Sequence, residues 1–347
     1  MIRIKNIYHM LAYAFQVLNK RNYAELETEH FEYASDLFAA ILAKGISIQI
    51  KRGLIKDYVD NTESLRSPRG KINVAFSVKQ QTMINKQLVC SFDEYTENSY
   101  MNQILKTTAL LLIKTPEVAN KHKKDLKKVL LYFSNVDQID YRRIQWSSIR
   151  YHRNNATYKM LVNICYLVIE GLLLTEQEGT HKLARFVDDQ KMHQLFEKFV
   201  LEYYRKHFPQ FNASASHIDW DVDQGMIEFL PVMKTDITLT YKEKTLIIDT
   251  KYYQHTMQSN SYYNSKSFHS HNMYQIFAYV KNKDCNNSGN VSGVLLYAMT
   301  DEDIIPDNEF SLSGNHIGVK TLDMNTDFSN LSDQLNILVE SFLLNGS

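Results

Sequence analysis

Apolar residues recur with helical spacing through much of the first half of the chain. Ile7, Leu11, Ala14, Phe15 and Leu18 keep a period near 3.6 and predict a helix over residues 4–19. A second helix is expected in SDLFAAILAKG, capped by Ser35 or Asp36 and stopping near Gly45. The next piece, ISIQIKRGLIKDYV, is ambiguous, because its first half alternates like a strand and also continues the helix. LRSPRGKINVAFSV has turn residues at Ser67, Pro68 and Gly70 and then alternates, which predicts a strand. From Glu97 to Glu178 three helices are expected, in NSYMNQILKTTALLLIK, HKKDLKKVLLYF and NATYKMLVNICYLVIEGLLL.

The texture changes near residue 185, where a domain boundary is expected: a mostly helical α+β region over 1–185, then an α/β domain over 186–347. The second part opens with the helix DDQKMHQLFEKFVLEYYRKHF, capped by Asp188 or Asp189, with Met192, Leu195, Phe196, Phe199, Val200 and Tyr203 on one stripe. Strand signals, a polar loop over 254–272, a helix in NMYQIFAYVKN and strands in GVLLYAM and HIGVKTLDM follow. A last helix, LSDQLNILVESFLLNG, is capped by Asn330 or Ser332 and ends at Gly346.

Composition narrows the function. The chain has 347 residues, no formal net charge and 44% hydrophobic residues. It can bury a sizeable core, but it lacks the positive balance of a general nucleic-acid coat protein. Three cysteines, Cys90, Cys165 and Cys285, lie far apart. They make no disulfide framework and no zinc spacing, and fit a cytoplasmic protein. No apolar run approaches the roughly 20 residues of a membrane span, so no membrane partner is expected.

The chemistry concentrates in MKTDITLTYKEKTLIIDTKYYQ, residues 233–254. If TDITLTY and TLIIDTKYY form an antiparallel hairpin turning at Lys242-Glu243, Ile237 faces Ile248 and Leu239 faces Leu246. Asp236 then falls opposite Asp249, with Lys251 on the same face. Opposed carboxylates repel by about 0.2–1 kcal/mol, a cost that a divalent cation between them removes. Hard oxygen ligands on a rigid sheet suit Mg²⁺, with Mn²⁺ as a substitute. The Thr250 carbonyl lies between them as a further ligand. Lys251 is placed to orient or activate the attacking water and to offset charge on the attacked phosphate. On flanking helices, Glu197 reaches toward the metal. Gln275 and Tyr279, four apart, position a phosphate or Lys251. Tyr252 and Tyr279 are substrate-side candidates.

Other signals have ordinary explanations. KHKKDLKK at 121–128 is a solvated helix face more readily than a phosphate grip. YRRIQWSSIRYHR, with Tyr141, Trp146 and Tyr151 among cations, suits nucleic acid, a partner surface or plain packing. His269 and His271 have no third ligand nearby, so 254–272 reads as a mobile loop on the substrate side.

Glu197, Asp236 and the Asp249-Thr250-Lys251 triplet, in this order, resemble the PD-(D/E)xK nuclease superfamily, with KTD standing where the name has Pro-Asp. The chain more widely resembles the McrC-like nuclease subunits of McrBC modification-dependent (5-methylcytosine) restriction systems. The resemblance runs through NIYHMLAYAF, LRSPRGKINV, CSFDEYTENSYMNQILK, YHRNNATYKMLVNICYLVI, LFEKFV and YQIFAYV. It implies a restriction-endonuclease-like domain with a central mixed sheet flanked by helices. It also implies a catalytic set of Asp236, Asp249 and Lys251 supported by Glu197 and Gln275, and DNA as substrate. It further implies a McrB-like AAA+ GTPase ring as partner, contacted through the N-terminal region. The chain has no Walker A loop of its own, since Gly70-Lys71 is followed by Ile72, so no nucleotide is expected on this chain. The rival readings are a non-catalytic adaptor of such a ring and a stand-alone repair or RNA nuclease.

Overall fold

A computed structural model describes residues 2–19, 23–151, 155–178, 189–226, 228–253, 257–260, 265–299 and 305–344. The chain forms two units, Met1–Glu32 joined with Arg185–Ser347, and Tyr33–Ala184 inserted between them. The chain passes from the inserted unit back to the first between Ala184 and Arg185, residues that lie outside the described ones. The first 32 residues, by contrast, belong with the C-terminal unit.

That unit begins with α1 (Ile4–Ala14), which runs into a 3₁₀ turn at Gln16–Asn19, and α2 (Ala24–Thr28). Helical periodicity shows that α1 has an apolar face but not what covers it. The cover is supplied from far along the chain. Asn6 Nδ2 donates to the carbonyls of Met324 and Thr326 at 2.9 and 2.8 Å. His9 stacks on Phe328 at 4.1 Å, and Tyr13 bonds His207 at 2.7 Å.

The inserted unit holds α3 (Ala34–Arg52), β1 (Asp57–Leu65), β2 (Lys71–Ile72), α4 (Val74–Lys79), β3 (Leu88–Thr96), α5 (Tyr100–Lys114), α6 (Asn120–Leu130) and α7 (Ala156–Glu178). Helix α3 passes through Gly45 because Ile46 and Gln49 continue its buried face. It stops at Gly53, whose φ of 87° favours glycine. Neither Ser35 nor Asp36 caps it. Asp36 instead accepts bonds from Ala119 N at 2.9 Å and His122 Nδ1 at 2.6 Å, tying down the start of α6. The strand expected after Gly70 lasts only two residues. Asn73 Oδ1 accepts from Phe76 N and caps α4, so the alternating Val74, Phe76 and Val78 lie on a short helix with their side chains exposed. The lysines of α6 mostly face outward, while His122, Leu126 and Val129 are buried. Trp146 packs on Tyr166 and donates to Glu170, a structural role within the unit.

The C-terminal part carries α8 (Asp189–His207), β4 (His217–Ile218), β5 (Met233–Lys234), β6 (Ile237–Tyr241), β7 (Lys244–Lys251), β8 (Met257–Asn260), β9 (Ser265–Phe268), α9 (Ser270–Lys283), β10 (Val291–Ala298), β11 (Asn308–Leu312), β12 (Asn315–Leu322) and α10 (Phe328–Val339). Five strands make one mixed sheet in the order β11-β12-β10-β7-β6. Strands β7, β10 and β12 run parallel, and the two edge strands are antiparallel to their neighbours. With helices flanking the sheet, this is the mixed α/β class expected.

The polar loop expected over 254–272 contains an antiparallel ribbon, β8 with β9, whose pairs run from Met257↔Phe268 to Asn260↔Ser265. Residues 254–256 and 261–264 lie outside the described ones. His269 and His271 sit at the start of α9. The expected cap Asp188 and the expected stop Gly346 are also outside the described residues. Asp327, not Asn330 or Ser332, precedes the last helix. Among the described residues no helix is long and apolar enough to cross a membrane.

On one face of the sheet, Ile276 and Val280 of α9 press on Ile247 and Leu295. The approach is close enough that a Cβ at Gly293 would stand 2.6 Å from Val280 and 2.8 Å from Ile276. The end of α9 is fixed by Asp284, which is 4% exposed. Its carboxylate accepts from Ser288 N, Ser288 Oγ, Gly289 N and Asn315 Nδ2 at 2.6–2.9 Å. Burial pushes its pKa up, but the bonds from Ser288, Asn315 and Gly289 outweigh this and hold it at about 2.

Asp284→Asn is therefore expected to cost about 2 kcal/mol at neutral pH in urea unfolding. The folded pKa is depressed, so the wild-type advantage is full above the unfolded value of 3.8 and fades as pH falls through about 2. An unchanged midpoint at pH 7 would contradict this role.

Candidate functional site

The hairpin of β6 and β7 has the register that the apolar pattern demands, with Ile237↔Ile248 and Leu239↔Leu246. The turn is at Lys242, whose φ is 54°. The ladder ends at Ile237↔Ile248, whereas β7 runs on to Lys251 with only β10 beside it. Asp236 stands in a bend just before β6, so it is not a ladder partner of Asp249. Its Oδ2 accepts from Thr250 N and from Thr250 Oγ1, both at 2.8 Å.

Asp249 and Lys251 project from β7 toward α9, since they alternate in step with Ile247 of the α9-facing core. Both are nearly inaccessible, at 1% and 8% exposure. Lys251 Nζ lies 2.5 Å from Asp249 Oδ2. The ammonium is thus the charge partner of this buried oxygen. Nζ also donates to Gln275 Oε1 at 3.1 Å. Gln275 Nε2 donates to Tyr279 OH at 2.9 Å, and Tyr279 OH donates to the Lys234 carbonyl at 3.1 Å. The i, i+4 pair on α9 thus fixes the ammonium and ties it to β5, on the other side of Asp236.

The charges bear on one another. Burial raises the Asp249 pKa, Lys251 opposes this, and Asp236 adds to it, for a net rise to about 6. Burial pulls the Lys251 pKa down, but Asp249 outweighs it, so the net shift is upward and the side chain is an ammonium at neutral pH. On α8, burial and then the Asp236 charge raise the pKa of Glu197, while His193 and Lys234 pull it back.

Asp236, Asp249, Lys251, Glu197 and Gln275 therefore form one neighbourhood. Tyr279 supports Gln275. Tyr252 points the other way, toward Phe196 of α8, with ring centroids 6.5 Å apart. The Thr250 carbonyl accepts a bond from His193 Nε2 at 2.6 Å, so any ligand role would share that oxygen with the imidazole. His193 and Lys234 were not among the candidates from sequence. Their only signal is spacing, His193 one helical turn before Glu197 and Lys234 two residues before Asp236.

Among the described residues no three His, Cys, Asp or Glu side chains make a ready metal cage. Two neighbouring carboxylates, one of them nearly inaccessible, are nonetheless the kind of oxygen set that suits a hard cation retaining several waters. A zinc-type centre favours nitrogen or sulfur ligands, and the nearby His193 imidazole already gives its Nε2 to the Thr250 carbonyl.

The chain is 26% identical over 346 residues to the type IV methyl-directed restriction enzyme EcoKMcrBC of Escherichia coli (strain K12), covering 99% of this chain and 98% of the relative. Among solved structures it is similar to a refined half-complex of Thermococcus gammatolerans McrB AAA+ hexamers with bound McrC. The TM-score is 0.48 at 17% identity, over 96% of this chain and 76% of that one. It is also similar to the Thermococcus gammatolerans McrBC complex, with a TM-score of 0.42 at 19% identity over 57% of this chain and 56% of that one. Residues 4–298 match the family described as McrBC 5-methylcytosine restriction system component, and the chain belongs to that family.

Proposed function

We propose that this chain is the DNA endonuclease subunit of a modification-dependent restriction complex in the cytoplasm. It would cut phosphodiesters with Mg²⁺, or Mn²⁺ in its place, and work with a McrB-like AAA+ GTPase ring. The observation that carries the reading is the convergence of Asp236, Asp249 and Lys251 at the end of β7, beside Glu197 and Gln275. Membership in a 5-methylcytosine restriction family supports modified DNA as the substrate.

Asp236 and Asp249 would hold the cation, with Glu197 alongside. When bound, the ion supplies Lewis-acid polarisation of the scissile phosphate. Lys251 acts as a fixed positive charge, because its raised pKa leaves it protonated at neutral pH. It orients the attacking water and offsets the charge that builds on the phosphate. Gln275 and Tyr279 keep the ammonium from swinging away.

The inserted unit supports the partner half of the reading. Ile72, Val74, Phe76, Val78, Met83 and Ile84 are all exposed, at 41–77%, within one short stretch. Large apolar side chains gathered on a surface mark a protein contact more often than a free face. Energy coupling is left to the partner, since the chain has no Walker A loop.

In the complex, Asp249→Asn and Lys251→Ala are each expected to cut DNA cleavage by about 10²-fold or more while stimulation of the partner's GTPase survives. Cleavage persisting in both variants would mean the site is misassigned. Val74→Asp with Phe76→Asp is expected to weaken partner binding by about tenfold or more, as for central interface side chains, with no change in Tm. Full GTPase stimulation by that double variant would place the contact elsewhere.

A further inference from the structure

The last residues of β7 are short of one neighbour. Antiparallel pairing with β6 stops at Ile248, so on that side the backbone of Thr250 meets no strand. Its N–H and C=O are nevertheless both satisfied. The N–H goes to Asp236 Oδ2 at 2.8 Å, and the C=O accepts from His193 Nε2 at 2.6 Å. Two side chains, one from the bend before β6 and one from α8, stand in for the missing strand. An unpaired peptide at this depth would be destabilising, and it would also be free to tilt.

Thr250 is the peptide between Asp249 and Lys251. A tilt there would re-aim both side chains at once. His193 also adds to the electrostatic environment of Asp249 and Glu197. Its geometry reaches further, because the ring nitrogen can only donate to a carbonyl. The bond therefore holds the peptide whichever group then occupies the site. Helix α8 carries Glu197 one turn later, so the same turn of helix presents a carboxylate and fixes the strand it works with.

We propose that His193 is a positioning residue for the nuclease reaction: through the Thr250 carbonyl it sets the aim of Asp249 and Lys251. The proposal rests on the nuclease reading above. The test uses the full chain with its partner ring, GTP, Mg²⁺ and plasmid DNA containing 5-methylcytosine. His193→Leu removes the donor and keeps bulk, and His193→Gln returns an amide N–H at similar reach.

His193→Leu is expected to lower kcat by about 10–100-fold, as for other groups that orient a reacting residue. KM for DNA should stay within about twofold, and Tm should fall by a few degrees at most, leaving the variant folded at the assay temperature. His193→Gln is expected to recover most of the rate. Amide hydrogen exchange of the peptide spanning 244–252 should quicken in the Leu variant and not in the Gln variant. A parental rate in His193→Leu, equal loss in both variants, or a loss accounted for by unfolding of the variant at the assay temperature would each overturn the assignment. Asp249→Asn is run in parallel to separate the two claims. If it still cuts, the nuclease reading itself fails; if it is inactive and His193→Leu cuts normally, only the role of His193 fails.

Discussion

Strand β7 outruns its antiparallel neighbour, and the candidate site is built on that overhang. A strand inside a mixed sheet normally has both backbone edges taken. Here one edge is open for the residues 249–251, and the open peptide groups need partners. Asp236 and His193 supply them, and Thr250 adds its hydroxyl to the same Asp236 oxygen. The backbone requirement thus draws an acid from the preceding bend and an imidazole from α8 to a point beside Asp249 and Lys251.

The rest of the C-terminal unit keeps that point rigid. Parallel pairing of β7 with β10 fixes one side, and close packing of α9 over Gly293 fixes the helix that carries Gln275. The charges are costly in this setting. Asp249 is nearly inaccessible and close to another acid, and its charge partner Lys251 is buried with it. Stability alone would favour an apolar residue there, since a buried ion pair seldom outdoes good packing. Retention of such a group in an otherwise well-satisfied sheet points to chemistry.

Much of this was legible in the sequence. Strict alternation in TDITLTY and TLIIDTKYY fixes the hairpin register, because a slip of one residue would turn Ile237, Leu239, Leu246 and Ile248 outward. Helical spacing likewise placed Gln275 and Tyr279 on one face. What stayed hidden depends on contacts distant in sequence. Nothing in the periodicity of α1 says that Met324, Phe328 and His207 cover it. The alternation in NVAFSV looked like a strand, but a capping Asn73 and the lack of a core to bury it made a helix. His193 could not be singled out because its partner is a backbone carbonyl, which carries no residue identity. Asp236 was expected across a ladder from Asp249, and it came near instead through a bend and the Thr250 peptide.

The most direct test is anomalous scattering from crystals of the protein soaked in Mn²⁺. A single peak within coordination distance of carboxylate oxygens of both Asp236 and Asp249 is the expected result, at about 2.0–2.2 Å for a small hard cation. A peak bound elsewhere, or none while Asp236 remains bonded to Thr250 at saturating Mn²⁺, would contradict the assignment of these acids as the metal-binding pair.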